Sequence, residues 1–194
     1  MRRIIEVILE SFRGEERDYT TLGVRRAIVL LSIPMVLEMG MEALFALVDA
    51  FFVSKLGVNA SATVGFTESM LTITYSVAWG LGMGATALVA RRTGEKDGQG
   101  ARVAAAQSVL VALVVGLLFA VPGMLYSTEL LTMMGAAPGV LAEGQWYTRI
   151  MMASNVVIML LFAINAIFRG AGAAYMALWS LGLANAINIV LDPL

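Results

Sequence analysis

Long apolar runs separated by short polar segments dominate the chain, and five of these runs are long enough for membrane-spanning helices. A helix needs about 20 predominantly apolar residues to cross the ~30 Å hydrocarbon core of a bilayer. The pattern therefore predicts an all-α integral membrane protein with five spans. The predicted spans begin at Ala27, at about Ala62, at Val103, at about Trp146 and near Ala173.

Residues 1–22 show a different, amphipathic pattern. Apolar residues recur at helical spacing on one side and charged residues occupy the other, which favours a helix lying in the cytoplasmic membrane interface. A solvated helical tail fits the same pattern equally well. The chain is thus divided into segment 1–22 and a transmembrane region at 23–194. The apolar positions are Ile4, Ile5, Ile8, Leu9 and Phe12, and the charged ones are Arg2, Arg3, Glu6 and Glu10.

The composition supports the membrane assignment and excludes several functions. Hydrophobic residues make up 59% of the chain and charged residues 14%, whereas soluble domains carry about 25% charged residues. The net charge of −1 provides no basic field for nucleic acid. Because the chain contains no Cys and no His, thiolate and imidazole chemistry are excluded and proton chemistry falls to carboxylates. We therefore expect no enzyme activity and no cofactor.

The distribution of Lys and Arg predicts the orientation in the membrane. If the spans alternate, eleven basic residues fall on one side and only Lys55 and Arg149 on the other, which places the N-terminus in the cytoplasm of a multi-pass plasma (inner) membrane protein. The fifth span would then end outside after Leu194 with no loop or anchoring residue. We therefore expect the chain to be a portion of a longer protein, interrupted in the fifth helix. The eleven residues are Arg2, Arg3, Arg13, Arg17, Arg25, Arg26, Arg91, Arg92, Lys96, Arg102 and Arg169.

Three carboxylates lie on one stripe of the first span. Glu38, Glu42 and Asp49 fall within about 40° of each other at 100° per residue. Such a stripe favours a wet or protein-lined face over a lipid-facing one, although structural hydrogen bonding between helices is the alternative. Pro34 lies one turn before Glu38 and removes a backbone hydrogen bond, so it is a candidate hinge. Glu68, in the second span, receives no role.

The fifth span carries a second polar group near its end. Asn188 and Asp192 are four residues apart and therefore adjacent on the helix, with Asn185 one turn earlier. An amide beside a carboxylate can hydrogen-bond it in either protonation state, and their oxygens suit a hard cation such as Na⁺. The pattern predicts a site for H⁺ or Na⁺.

Several segments resemble the multidrug and toxic compound extrusion (MATE) transporters. The similar segments are Pro34 followed by LVDAFFVSKLG, then GATALVARRTGEKD, NAIFRGAGAAYMAL and NAINIVLDPL. The resemblance implies two six-helix bundles around a central cavity, of which this chain supplies five helices of the N-terminal bundle and lacks the C-terminal bundle. It also implies an antiporter that exports small, amphipathic organic cations in exchange for H⁺ or Na⁺.

The resemblance also implies a set of cation-coupling residues. Motif by motif, they are Asp49, Asn188, Asp192, Asn165 and Tyr147. Na⁺, if it is the coupling ion, would bind at Asp49 and Asp192, and no other metal is expected. At 1.5 Å per residue, Asn165 lies only ~6 Å from Arg169 along its helix, which suggests a deeper layer than that of Asp49.

The resemblance assigns no role to Glu38 and Glu42. They are candidates for attracting substrate or cation, and structural hydrogen bonding is the alternative. Two other functions remain open at this point. One is a flippase or exporter of related fold with a lipid-linked or polymeric substrate, and the other is a truncated membrane module that does not transport.

Overall fold

The computed structural model describes residues 23–191. Segment 1–22 and the predicted site residue Asp192 lie outside the described residues, as do residues 193 and 194. The described chain forms seven helices and its connections are short. The helices are α1 Val24–Ser54, α2 Val58–Gly94, α3 Gly98–Leu125, α4 Ser127–Met133, α5 Pro138–Ala153, α6 Asn155–Gly170 and α7 Ala174–Leu191.

Five segments of the described chain are long and apolar enough to cross a membrane, which confirms the predicted number of spans. α1, α2, α3 and α7 each form one such segment, and α5 and α6 together form the fourth, at Pro138–Gly170. The fourth segment starts earlier than the predicted Trp146, because its first two turns carry polar and small residues that the hydropathy pattern alone leaves out. The short helix α4 was not predicted.

The chain divides into two compact units. The described part of the first unit consists of residues 23–49, 85–105 and 165–191. The second consists of Ala50–Gly84 and Ala106–Ile164. Each unit brings together segments that are distant in sequence, so each has its own packing.

Close helix contacts at glycine hold the first unit together. A Cβ added at Gly170 of α6 would lie 2.7 Å from the backbone oxygen of Thr86 in α2. The Thr86 hydroxyl donates a hydrogen bond of 3.0 Å to the carbonyl oxygen of Ala166. Small residues that let backbones approach this closely are typical of helix contacts in membranes, where lipid removes most of the hydrophobic driving force.

The second unit has an apolar core of small residues around one methionine. Ala78, Ala112, Met159 and Ala163 are almost fully buried and pack together. Most large apolar side chains of the described helices are instead exposed, as expected for surfaces that face lipid rather than water.

The fourth span is interrupted at Ser154, between α5 and α6. The Ser154 hydroxyl donates to the Met151 carbonyl oxygen at 2.7 Å, and the side-chain nitrogen of Asn155 donates to that of Met152 at 2.9 Å. These side chains satisfy carbonyl groups at the break, which is a requirement for irregular backbone at membrane depth. The sequence pattern did not predict this break.

Candidate cation site

Asp49 and Asn188 meet in the first unit. Asp49 lies near the end of α1, Asn188 lies on α7, and both are partly buried. The side-chain nitrogen of Asn188 donates a hydrogen bond of 2.9 Å to Asp49 Oδ1. An amide that donates to a carboxylate at this distance stabilises its charged form and orients it. The two residues are 139 positions apart in sequence, so this contact is a product of the tertiary fold.

A second contact shows how α1 and α7 pass each other. A Cβ added at Gly182 of α7 would lie 3.3 Å from the terminal methyl of Met41 on α1. The helices therefore contact at Met41 and Gly182 and again at Asp49 and Asn188. Both helices advance in the same direction between these two points, so they run parallel.

Asn185 lies between these two contacts on α7. It is 4% exposed, and its side-chain nitrogen donates to the carbonyl oxygen of Leu181 at 3.1 Å. Its Oδ1 is buried without a hydrogen-bond donor among residues 23–191. A buried acceptor without a donor costs about 1–3 kcal/mol.

Glu38 and Arg169 form a buried ion pair within the first unit. One guanidinium nitrogen of Arg169 lies 3.2 Å from each carboxylate oxygen of Glu38. The side chains are only 8% (Glu38) and 14% (Arg169) exposed. Removal of two charges from water is repaid only when they pair closely. Glu38 of α1 therefore contacts α6 through Arg169, while its role in attracting a substrate or cation stays a prediction.

Glu42 lies one turn beyond Glu38 on α1 and is exposed. Its charged neighbours are Glu38 and Arg169. Because Arg169 already neutralises Glu38, the three groups together carry one excess negative charge when all are ionised. Glu42 is thus the carboxylate of this group that remains open to a ligand.

The roles of Asn165 and Tyr147 in cation coupling stay predictions. Arg169 contacts Glu38, which is about 16 Å from Asp49 along α1 at 1.5 Å per residue. Asn165 is only ~6 Å along α6 from Arg169, so it lies nearer the level of Glu38 than that of Asp49. Tyr147 belongs to the second unit.

Pro34 is buried inside α1, and the helix continues through it from Val24 to Ser54. No three His, Cys, Asp or Glu side chains come together as a metal site between residues 23 and 191. Among the described residues, the contact shown at the candidate site joins one carboxylate, Asp49, to the amide of Asn188.

Sequence reasoning missed two of these relationships. It counted Arg169 only as an orientation signal and did not pair it with Glu38. A signal was available, because an arginine and a carboxylate in apolar spans each need a partner. It also placed Asn185 beside Asn188 without assigning it to the site, since only the structure shows that its oxygen is buried without a donor.

The family model described as MatE matches residues 34–194. Among curated proteins, the chain is 26% identical over 172 residues to "Probable multidrug resistance protein YoeA" of Bacillus subtilis, covering 88% of this chain. It is 27% identical over 169 residues to "FAD transporter" of Shewanella oneidensis, covering 87%. The chain spans 37% of the length of each of these relatives.

The fold also resembles that of solved transporters. A MOP superfamily transporter from Pyrococcus furiosus superposes on the chain with a TM-score of 0.81. The sequences are 31% identical, and the match covers 97% of this chain and 39% of the other. The similarity thus extends over nearly the whole chain but over less than half of that transporter.

Proposed function

The chain belongs to the MatE family, and from this premise we propose that it forms the N-terminal portion of a cation-coupled antiporter that exports amphipathic organic cations. The multidrug resistance relative supports drug export. The five apolar segments support a multi-pass location in the plasma (inner) membrane. The remaining bundle of the relatives is the expected partner in this activity.

The single observation that carries the coupling proposal is the contact between Asp49 and Asn188. A partly buried carboxylate held by one amide can exchange between a charged form and a form neutralised by H⁺ or Na⁺. Neutralisation weakens the hydrogen bond from Asn188, because charged acceptors bind amide donors more strongly than neutral ones. The contact between α1 and α7 then depends on cation occupancy. Asp192, one turn after Asn188 in sequence, is proposed as the second carboxylate of this site.

The distribution of basic residues supports the proposed orientation. Between residues 23 and 191, seven basic residues fall on one side of the membrane if the spans alternate, and only Lys55 and Arg149 fall on the other. An excess of Lys and Arg marks the cytoplasmic side of membrane proteins. We therefore propose that the N-terminus is cytoplasmic. The seven residues are Arg25, Arg26, Arg91, Arg92, Lys96, Arg102 and Arg169.

Glu42 supports a cationic substrate. It is exposed and adds one negative charge beside the neutral pair of Glu38 and Arg169. The relative named as an FAD transporter favours a second candidate, an anionic flavin nucleotide. The excess carboxylate opposes an anion at this position, so the two substrate classes make opposite predictions for Glu42. We propose that Glu42→Gln weakens export of a cation and leaves or improves export of a flavin.

Export from membrane vesicles tests the proposal. The protein, expressed from its own gene, is assayed with the dye cation ethidium and with FAD under an imposed pH or Na⁺ gradient. Asp49→Asn should abolish gradient-driven ethidium export while leaving expression unchanged. Glu129→Gln, which changes an exposed carboxylate of α4 in the second unit, is the matched control.

The outcomes separate the candidate functions. Ethidium export that persists in Asp49→Asn at the wild-type rate would refute coupling at Asp49. Export of FAD alone would favour the second candidate. Movement of a lipid-linked sugar would instead indicate a flippase, and the absence of any transport would indicate a non-transporting module.

A further inference from the structure

Asn185 has a buried side-chain oxygen that has no role in the proposed coupling site. The residue is only 4% exposed, and its Oδ1 is buried without a donor among the described residues. Buried polar side chains in folded proteins nearly always have a partner. A buried oxygen that lacks one is a candidate acceptor for a ligand that binds in another state of the protein.

The orientation of the Asn185 amide follows from its own helix. Its nitrogen donates to the Leu181 carbonyl oxygen at 3.1 Å. If the amide were turned over, its oxygen would face that carbonyl oxygen, and two acceptors would repel each other. The nitrogen therefore stays on α7 and the oxygen is the atom directed away from this bond.

Asn185 also lies on α7 between the two points at which this helix contacts α1. It is three residues after Gly182, which packs near Met41, and three before Asn188, which binds Asp49. Its Cα is therefore about 4.5 Å from that of Asn188 along the axis of α7. This position lies on α7 between its two contacts with α1, about one turn before the residue that binds Asp49.

We propose that Asn185 is a further ligand of the coupling cation at Asp49. If the cation is a proton, the hydroxyl of protonated Asp49 donates to Asn185 Oδ1. If the cation is Na⁺, the same oxygen coordinates it together with Asp49, because hard cations prefer oxygen ligands. Both cases use one property of Asn185, an acceptor oxygen. The inference rests on the proposed coupling function of Asp49.

The charged residues on the helices of this site, and on the described helix α6, are few. On α1, Glu42 is two turns before Asp49. Lys55 follows the end of α1, six residues after Asp49 in sequence. α7 has no Asp, Glu, Lys or Arg from Ala174 to Leu191. Arg169, the charged residue of α6, is held by Glu38. Asp192 lies outside the described residues.

The test compares Asn185→Leu with a matched control, Asn155→Leu. Asn155 is 1% exposed, donates to a carbonyl of its neighbouring turn and also has a buried Oδ1 without a donor in the described chain. It belongs to the second unit. The two substitutions thus remove the same groups from similarly buried positions, and only Asn185 lies on the helix that binds Asp49.

Thermal unfolding of the purified protein in detergent measures cation binding, since a ligand that binds only the folded state raises its midpoint with concentration. One arm titrates NaCl against choline chloride at fixed pH, and the other varies pH without Na⁺. A rise with NaCl that Asp49→Asn lacks identifies Na⁺, and a pH dependence that Asp49→Asn lacks identifies H⁺. Asn185→Leu should lower the apparent cation affinity by about tenfold, which is the lower end of the losses found when a supporting group is removed from an ion site. Asn155→Leu should leave the apparent affinity unchanged.

Equal effects of the two leucine variants would overturn the inference. Asn185→Asp keeps an acceptor oxygen, so it should bind the cation more tightly than Asn185→Leu, and the reverse order would also overturn the inference. Asp49→Asn is the separate test of the coupling site. If it keeps the wild-type response, the proposed function fails; if it loses the response while Asn185→Leu keeps it, only the role of Asn185 fails.

Discussion

Removal of one partner from the Glu38–Arg169 pair should destabilise the protein strongly. Arg169→Leu leaves the Glu38 carboxylate, whose side chain is 8% exposed, without its counter-charge and beside the second carboxylate, Glu42. At 3.2 Å between nitrogen and oxygen, the Coulomb attraction is about 5 kcal/mol for an effective dielectric constant of 20. Loss of one partner from buried pairs typically costs about 3–5 kcal/mol.

The double variant Glu38→Leu/Arg169→Leu should behave differently. It removes both charges and leaves two apolar side chains, and such replacements of buried ion pairs are often neutral or stabilising. We therefore expect the double variant to lie within about 1 kcal/mol of the wild type. The single variants Glu38→Leu and Arg169→Leu should each be less stable than the double variant.

Unfolding in sodium dodecyl sulfate, followed by the fluorescence of the tryptophans, measures these free energies. Arg149→Leu is the control, because Arg149 is exposed and lies 5.3 Å from the ring centroid of Trp146. Its loss should cost at most about 1 kcal/mol. If the double variant loses as much stability as the two single variants combined, the two charges are not coupled and the reasoning is refuted.

Two further predictions concern the same unit. Gly170→Ala should lower the unfolding midpoint, because its Cβ would lie 2.7 Å from the Thr86 backbone oxygen. Gly84→Ala is the control and should leave the midpoint unchanged, because a Cβ there meets nothing within 4 Å. Equal midpoints of the two variants would contradict the packing at Gly170. The hydrogen bond from Arg91 lowers the pKa of Glu95 below its usual 4.5, so Glu95 contributes stability above that pH that is lost as pH falls through the folded value. Unfolding midpoints measured from pH 7 to 3 should show a slightly smaller acid loss in Glu95→Gln than in the wild type, and identical profiles would count against this contribution.

The hydrophobic pattern determined the number and type of the spans. Five apolar stretches long enough for a bilayer were evident before any contact was known, because the length of a spanning helix depends on bilayer thickness and not on its neighbours. Local irregularities escaped this reasoning. The break at Ser154 does not show in the hydropathy pattern, which reports apolar composition and not backbone hydrogen bonds. The side chains of Ser154 and Asn155 satisfy carbonyl groups that the break frees.

For the candidate site, the sequence determined which residues carry chemistry and only the tertiary structure decided which of them meet. Glu38, Glu42 and Asp49 share one stripe of α1, yet Glu38 pairs with Arg169 on α6 and Asp49 binds Asn188 on α7. Helical periodicity gives the face and the level of a residue, but its partner depends on which helix packs against that face. The different environments of these three carboxylates therefore arise from packing, since solvation and neighbouring charge are properties of the folded chain.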